Sequence, residues 1–405
     1  MAKILILIGA HLCTAPRPQK EAMTLADAGH DVMVRGVWFD PELAERDRLL
    51  IKDQRWQFAP VLDFRPHHAL TRSLVRIQAK LARKRFQHFK QFSPALLGYG
   101  AKAMLKAALL EQADLTIVHS EAGLWVGDRL LDRGLRVGVD FEDWFSQDLL
   151  PEAQITRPIA EIKQREARLA KACTYCLTTS HALAETLACV YQTAKPTVIY
   201  NVFPRHIGAA SAKSNRDMRP SLHWFSQTIG RGRGLEILFQ ALRLLKTQVD
   251  IHLRGHCSDD NRRWLEASVP EAWCSHLFIH PTVSNDELPS CIAQYDIGLA
   301  LEQFDPPSRN LTVTNKLFQY MQAGLAVIAT ETAGQREILS QCPDIGRLVP
   351  CNNPLALAEA IDALASQPEA LQRAKTAAFQ AAQEQFCWES QRDRLLQAAD
   401  LALAS

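Results

Sequence analysis

The chain is predicted to be α/β, folding as two successive units that each hold a mostly parallel sheet covered by helices. Short apolar runs of strand length alternate with amphipathic stretches of helix length in both halves. A polar run at 208–220, rich in Ser, Lys, Asn and Arg and ending on Pro220, separates those halves. The length of 405 residues fits two or three domains of the usual size, about 100–200 residues each.

The elements follow in order. The apolar run 3–8 reads as a buried first strand, because Gly9, Ala10 and His11 break it too soon for a leader peptide. A helix is expected at 17–29 and a strand at 31–34. The strand 114–119 then leads to a helix at 124–133 and a strand at 137–141. The stretch 153–190 reads as one long helical region, closed by a strand at 196–200. The second half restarts with a strand at 221–226, a glycine-rich turn and a helix at 235–246. Strands are expected at 250–254, 277–280, 297–301 and 326–330, with a helix at 315–322 and an amphipathic final helix at 388–404. In sheets of this kind ligands gather beyond the carboxyl ends of the strands, where His11, His119 and Asp140 fall.

Composition narrows the function. Lys and Arg total 46 against 44 Asp and Glu, a net charge of +2, which excludes the basic excess of a dedicated nucleic-acid binder. No stretch approaches the roughly 20 apolar residues of a membrane span. Ten cysteines are scattered, as in a cytoplasmic protein that keeps its thiols reduced. Cys173 and Cys176 form a CxxC with no second ligand pair at matching spacing, so they read as core rather than a zinc site. The segment 64–110 holds ten Lys or Arg and no Asp or Glu, with Leu74, Ile77, Leu81, Phe86 and Phe89 interleaved. That pattern fits a basic amphipathic helix on an anionic membrane surface, and equally a solvated basic face whose apolar side packs on the first sheet.

Two segments carry chemistry. In WFSQTIGRGRGLE, at 224–236, a strand enters a turn of three glycines and two arginines and then a helix. Glycine allows close backbone approach, and the start of a helix presents unpaired N–H groups to an anion. Ser226, Gln227, Thr228, Gly230, Gly232 and Arg233 are the candidate donor contacts there, Arg233 as a charge-assisted partner of a diphosphate. In TVTNKLFQYMQAG, at 312–324, Thr314, Asn315 and Lys316 sit at a second helix start, and Glu302 ends the strand before it. Plain structural roles, a tight turn and a capped helix, suit each segment taken alone.

Together with HSEAGL, DFEDWF and YNVFP, these segments resemble the retaining GT-B-fold glycosyltransferases of the large family-four type that build bacterial polysaccharides. The resemblance spans nearly the whole chain. It implies two Rossmann-like domains facing a central cleft: an acceptor-binding domain at 1–205, a nucleotide-sugar-binding domain at 206–386, and a helix at 387–405 that returns to the first. It implies catalytic roles for His119, Arg233, Lys316 and Glu302. Donor contacts would also include Thr314, Asn315, Leu317 and Gln319, with His11, Arg17, Asp140 and Glu142 on the acceptor side. The chain departs from the pattern at two places: Gln319 stands where the family has a ribose-binding glutamate, and Leu311 where it has an acid eight residues earlier.

The chemistry implied needs neither a metal nor a cofactor, only a nucleotide sugar, with UDP-glucose the leading candidate. Charge developing on the departing diphosphate would be met by Arg233, Lys316 and the N–H groups of 230–234. The acceptor would be a saccharide or a lipid-linked oligosaccharide, met in the cytoplasm or on the inner face of the plasma membrane. Two other readings remain: a non-catalytic nucleotide-sugar-binding protein, motivated by Gln319 and Leu311, and a nucleotide-sugar epimerase.

Overall fold

The structure, a computed structural model, describes residues 1–65, 68–205 and 219–404. It divides into two compact units, residues 1–199 with 391–405 and residues 200–390. Most of the expected linker at 208–220 lies outside the described residues.

The first unit is built on seven strands: β1 (Lys3–Leu7), β2 (Asp31–Trp38), β3 (Gln57–Asp63), β4 (Leu115–Val118), β5 (Val137–Phe141), β6 (Cys176–Thr178) and β7 (Thr197–Val198). They lie in the order β3-β2-β1-β4-β5-β6-β7, every neighbouring pair parallel. Helices cover both faces, so central strands read as unbroken apolar runs, and Ile4 to Leu7 are fully buried. The chain winds outward from β1 to β2 and, in the other direction, from β4 to β5. The order therefore reverses between β1 and β4, which opens a crevice at their carboxyl ends.

The second unit repeats the plan with β8 (Ser221–Thr228), β9 (Asp250–His256), β10 (Leu277–His280), β11 (Ile297–Ala300), β12 (Ala326–Thr330) and β13 (Gly346–Val349). Their order is β10-β9-β8-β11-β12-β13, again all parallel, with the reversal between β8 and β11. The helix Asn315–Gln322 packs close on β11 because Gly298 has no side chain. A Cβ there would lie 2.2 Å from the Tyr320 ring, whose hydroxyl donates to the Leu299 carbonyl at 3.3 Å. The final helix, Trp388–Ala404, starts in the second unit and belongs to the first from Gln391 onward, where Leu395, Ala399 and Ala402 are buried.

Two expectations need correction. The stretch 153–190 is not one helical region: it holds the helices Ile159–Ala172 and His181–Tyr191 with the strand β6 between them. Three residues buried on both faces show no alternation, so β6 was hidden in the apolar background. The helix expected at 235–246 ends earlier, as Leu235–Ala241. Cys173 and Cys176 are buried free thiols, and burial pushes the Cys173 thiol up to about 12, which leaves it inert.

Candidate functional site

The second unit gathers its polar groups at the reversal between β8 and β11. β8 ends in Ser226, Gln227 and Thr228, and the turn 229–234 follows. Gly234 takes a left-handed backbone (φ +82), and a Cβ on it would lie 2.3 Å from the Leu301 carbonyl oxygen. Glycine alone lets this turn lie against the end of β11. The side chain of Glu236 accepts from the Gly232 N–H at 2.7 Å, and Arg309 donates to the Gly232 carbonyl at 3.4 Å. Half-buried Arg233 donates to the Ser226 hydroxyl at 3.1 Å. Gly230 is buried beside the Asn261 side chain.

From the other side of the reversal, Glu302 leaves β11 and bonds the ammonium of Lys316. Burial works against the Glu302 anion, but Lys316, Arg309 and the Thr314 hydroxyl together hold its carboxyl below the usual range. Thr314 precedes the helix Asn315–Gln322, and its carbonyl accepts from Leu317 N–H at 3.1 Å. The Thr314 side chain makes no cap bond, so the first N–H groups of the helix keep their capacity for an external acceptor. The loop after β12 joins the same cluster: Asn310 accepts from Ala333 N–H at 3.0 Å. Arg231, Arg233, Arg309 and Lys316 stand against Glu236 and Glu302, an excess of two positive charges around a glycine turn and a helix start. This arrangement can hold a dianionic diphosphate.

Most of the donor residues expected from sequence meet here. Leu317 does not present its side chain, which is fully buried under the helix. Gln319, half-buried one turn further along, makes no side-chain hydrogen bond to any described residue.

The first unit has its own buried polar cluster at the ends of β4 and β5. Arg17 donates to Asp140 through Nε (2.6 Å) and Nη2 (3.0 Å), and through Nη1 to the Ile199 carbonyl at 2.6 Å. Arg17 and Asp140 are each only 1% exposed, so the pair is internal and neither is offered to an acceptor as expected. His119 lies between two carboxylates, with Nε2 2.8 Å from Glu21 and Nδ1 2.6 Å from Glu142. Burial opposes a charged ring, but the two carboxylates outweigh it and raise the His119 pKa well above the histidine range. The imidazolium in turn draws the Glu142 carboxyl down against its own burial. Behind them, burial and the charge of Arg17 bring the Lys20 ammonium down to about 7.

His119 therefore has no ring nitrogen left for a substrate, and the Glu142 side chain, 31% exposed, is the outward end of the network. Glu21 and Tyr175, whose hydroxyl donates to Glu21, were missed from sequence. Ligand atoms of Glu21, His119 and Asp140 lie within 4.8 Å of one another, a spacing that suits a metal ion. Each of the three is already engaged, His119 between Glu21 and Glu142 and Asp140 with Arg17. His11 belongs to a separate cluster. Its Nε2 accepts from the Phe39 N–H (2.7 Å) and Asp40 N–H (3.1 Å), so Nδ1 carries the proton given to Asp47 at 3.1 Å. Its polar atoms hold the end of β2 rather than an acceptor.

Residues 220–367 match the family model described as glycosyl transferases group 1. No curated protein matches the chain by sequence. Solved structures match over nearly its full length. Sucrose-phosphate synthase from Thermosynechococcus elongatus is 14% identical with a TM-score of 0.69, covering 100% of both chains. HepE from Anabaena, in complex with UDP-glucose, is 15% identical with a TM-score of 0.69, covering 99% of this chain and 100% of its own. A TarM mutant from S. aureus, in complex with fondaparinux, alpha-GlcNAc-glycerol and UDP, is 9% identical with a TM-score of 0.69, covering 100% of both. With its two parallel sheets, each reversed at one crevice, the chain has the GT-B fold of two Rossmann-like domains, and residues 220–367 resemble the glycosyl transferases group 1 family.

Proposed function

We propose that the protein transfers a sugar from a UDP-sugar to a saccharide or lipid-linked acceptor, retaining the anomeric configuration and using no metal. The observation that carries this reading is the convergence of the 229–234 turn, Arg233, Lys316 and the start of helix Asn315–Gln322 at the β8/β11 reversal. There the diphosphate takes the backbone N–H groups of the turn and the charge of Arg233. Lys316 stays paired with Glu302, which holds its ammonium at the strand end, and serves as the second cation for the leaving oxygen. Glu302, so neutralised, is a poor nucleophile, and departure of the diphosphate with charge stabilisation by cations requires none. Gln319 takes the ribose as a neutral hydrogen-bonding group. UDP-glucose is the first donor to try, given the complex formed by HepE. On the first unit, Glu142 is the group that meets an acceptor hydroxyl, steadied by His119.

Transfer from UDP-glucose, assayed with a panel of saccharide acceptors, is the test. Arg233→Ala and Lys316→Ala should each lower kcat/KM about a hundredfold or more, the usual loss of one preorganised donor to a developing anion. A chelator should leave the rate unchanged, and proton NMR of the product should show the donor's anomeric configuration. Wild-type rates in both variants would refute the site. UDP binding with no transfer to any acceptor would favour the non-catalytic reading to which Gln319 and Leu311 point.

A further inference from the structure

The helix Ala69–Phe89 has two faces, and the apolar one that matters is on the outside. Ala79 and Ala82 are buried, with Val75 and Phe86 half-buried beside them, so this side rests on the protein. Leu70, Leu74, Ile77 and Leu81 are 83%, 61%, 55% and 49% exposed. At about 100° per residue these four fall within an arc of about 60°, opposite the packed side. Of the two sequence readings, the one that packs the apolar side on the first sheet does not hold for Leu74, Ile77 and Leu81. Exposed Lys80 and Lys84 border the stripe on one side and exposed Arg85 on the other. The whole segment 64–110 contains no acidic residue.

Four large aliphatic side chains in a row, held in water, call for a cover. A second copy of the chain is disfavoured, because a two-fold contact through this stripe would bring the cationic borders of both copies together with no acidic residue in the segment to pair them. Nucleic acid would satisfy the cations and leave the stripe in water. An anionic bilayer satisfies both, with acyl chains under the leucines and headgroup phosphates beside the lysines and arginine. We propose that this helix docks the protein on an anionic lipid surface by lying flat with Leu70, Leu74, Ile77 and Leu81 in the headgroup boundary. No helix among the described residues is long and apolar enough to cross a membrane, so the attachment is peripheral. The inference stands on the helix alone and is independent of the donor site.

Sedimentation of the full chain with vesicles tests it. The protein should pellet with vesicles of one part phosphatidylglycerol to two parts phosphatidylcholine, and not with phosphatidylcholine alone. Raising salt from about 50 mM to about 500 mM should weaken the partition through screening. A Leu74→Ser/Leu81→Ser variant should bind at least tenfold more weakly while keeping the wild-type melting temperature and UDP affinity, since both side chains lie outside the core. A Lys80→Gln/Lys84→Gln/Arg85→Gln variant should lose the preference for anionic vesicles. Failure of the wild type to pellet at low salt would overturn the proposal, as would full binding by the serine variant. A dimer in sedimentation velocity that the serine variant disperses would also overturn it, by assigning the face to a second copy. UDP affinity, measured without vesicles, reports on the donor site separately.

Discussion

Glu21 holds two buried partners at once, the Tyr175 hydroxyl and the ring of His119, and is itself only 1% exposed. Its anion at that depth is tolerable because the imidazolium beside it is a counter-ion. Glu21→Gln should therefore cost about 3–5 kcal/mol near neutral pH, the usual loss when one member of a buried pair is removed. The sign of the pH effect follows. A histidine pKa raised by folding contributes stability that is complete below about pH 6.5 and is lost as pH climbs through the native value. The stability gap between wild type and Glu21→Gln, measured by denaturant melts, should be widest in mild acid and narrow toward alkaline pH. A gap of constant width would show that His119 is neutral. His119 was readable from the sequence as a polar residue at a strand end; Glu21 was not. A glutamate inside an amphipathic helix looks like a solvated face. The missed signal is that Glu21 follows Arg17 by one helical turn and so shares its side of the helix.

At the scale of elements, the turn after β8 separates two kinds of glycine. Gly234 and Gly232 both have left-handed backbones, but only Gly234 has a neighbour where a Cβ would go. Gly232→Ala should cost about 1–2 kcal/mol of backbone strain and leave nucleotide binding nearly intact. Gly234→Ala must push the turn away from Leu301 and should abolish UDP binding in calorimetry. Equal behaviour of the two variants would mean that the turn's contact with β11 does not shape the site. The sequence marked this turn clearly, because three glycines and a helix start within six residues leave few conformations. It marked the central strands as well, since burial on both faces gives continuous apolar runs. It hid β6 and the orientation of helix Ala69–Phe89 for a related reason. A three-residue strand has no period to detect. A helix with leucines on one side and alanines on the other does not announce which side faces the protein, so both readings of the segment stayed open.

Across the whole molecule, His119 of the first unit and the buried histidines of the second titrate with opposite signs. In the second unit, His223 stacks on Tyr295 with ring centroids 4.4 Å apart, and neither of its ring nitrogens has a hydrogen-bond partner among the described residues. Burial, then the charges of Arg254 and the neighbouring histidines, pulls His223 down to about 3; burial and His280 bring His252 to about 4. Between those values and about 6.5 the unfolded chain binds protons that the folded unit refuses, so stability must fall as pH drops through that window. His223→Phe keeps the stack and removes the group that titrates. Its melting temperature should exceed that of wild type at pH 5 by more than at pH 8, and an equal difference at both would refute the assignment. The paired architecture was evident from the two rounds of strand–helix alternation, whereas the lateral placement of histidines on β8, β9 and β10 depends on register between strands far apart in sequence. The return of the last helix has a consequence for synthesis. Since residues 391–405 complete the unit begun by residue 1, the second unit is in effect an insertion within the first. A ribosome delivers residues 200–390 as one uninterrupted block, free to fold on release, while the lobe that emerged earlier waits for its closing piece until residues 391–405 follow.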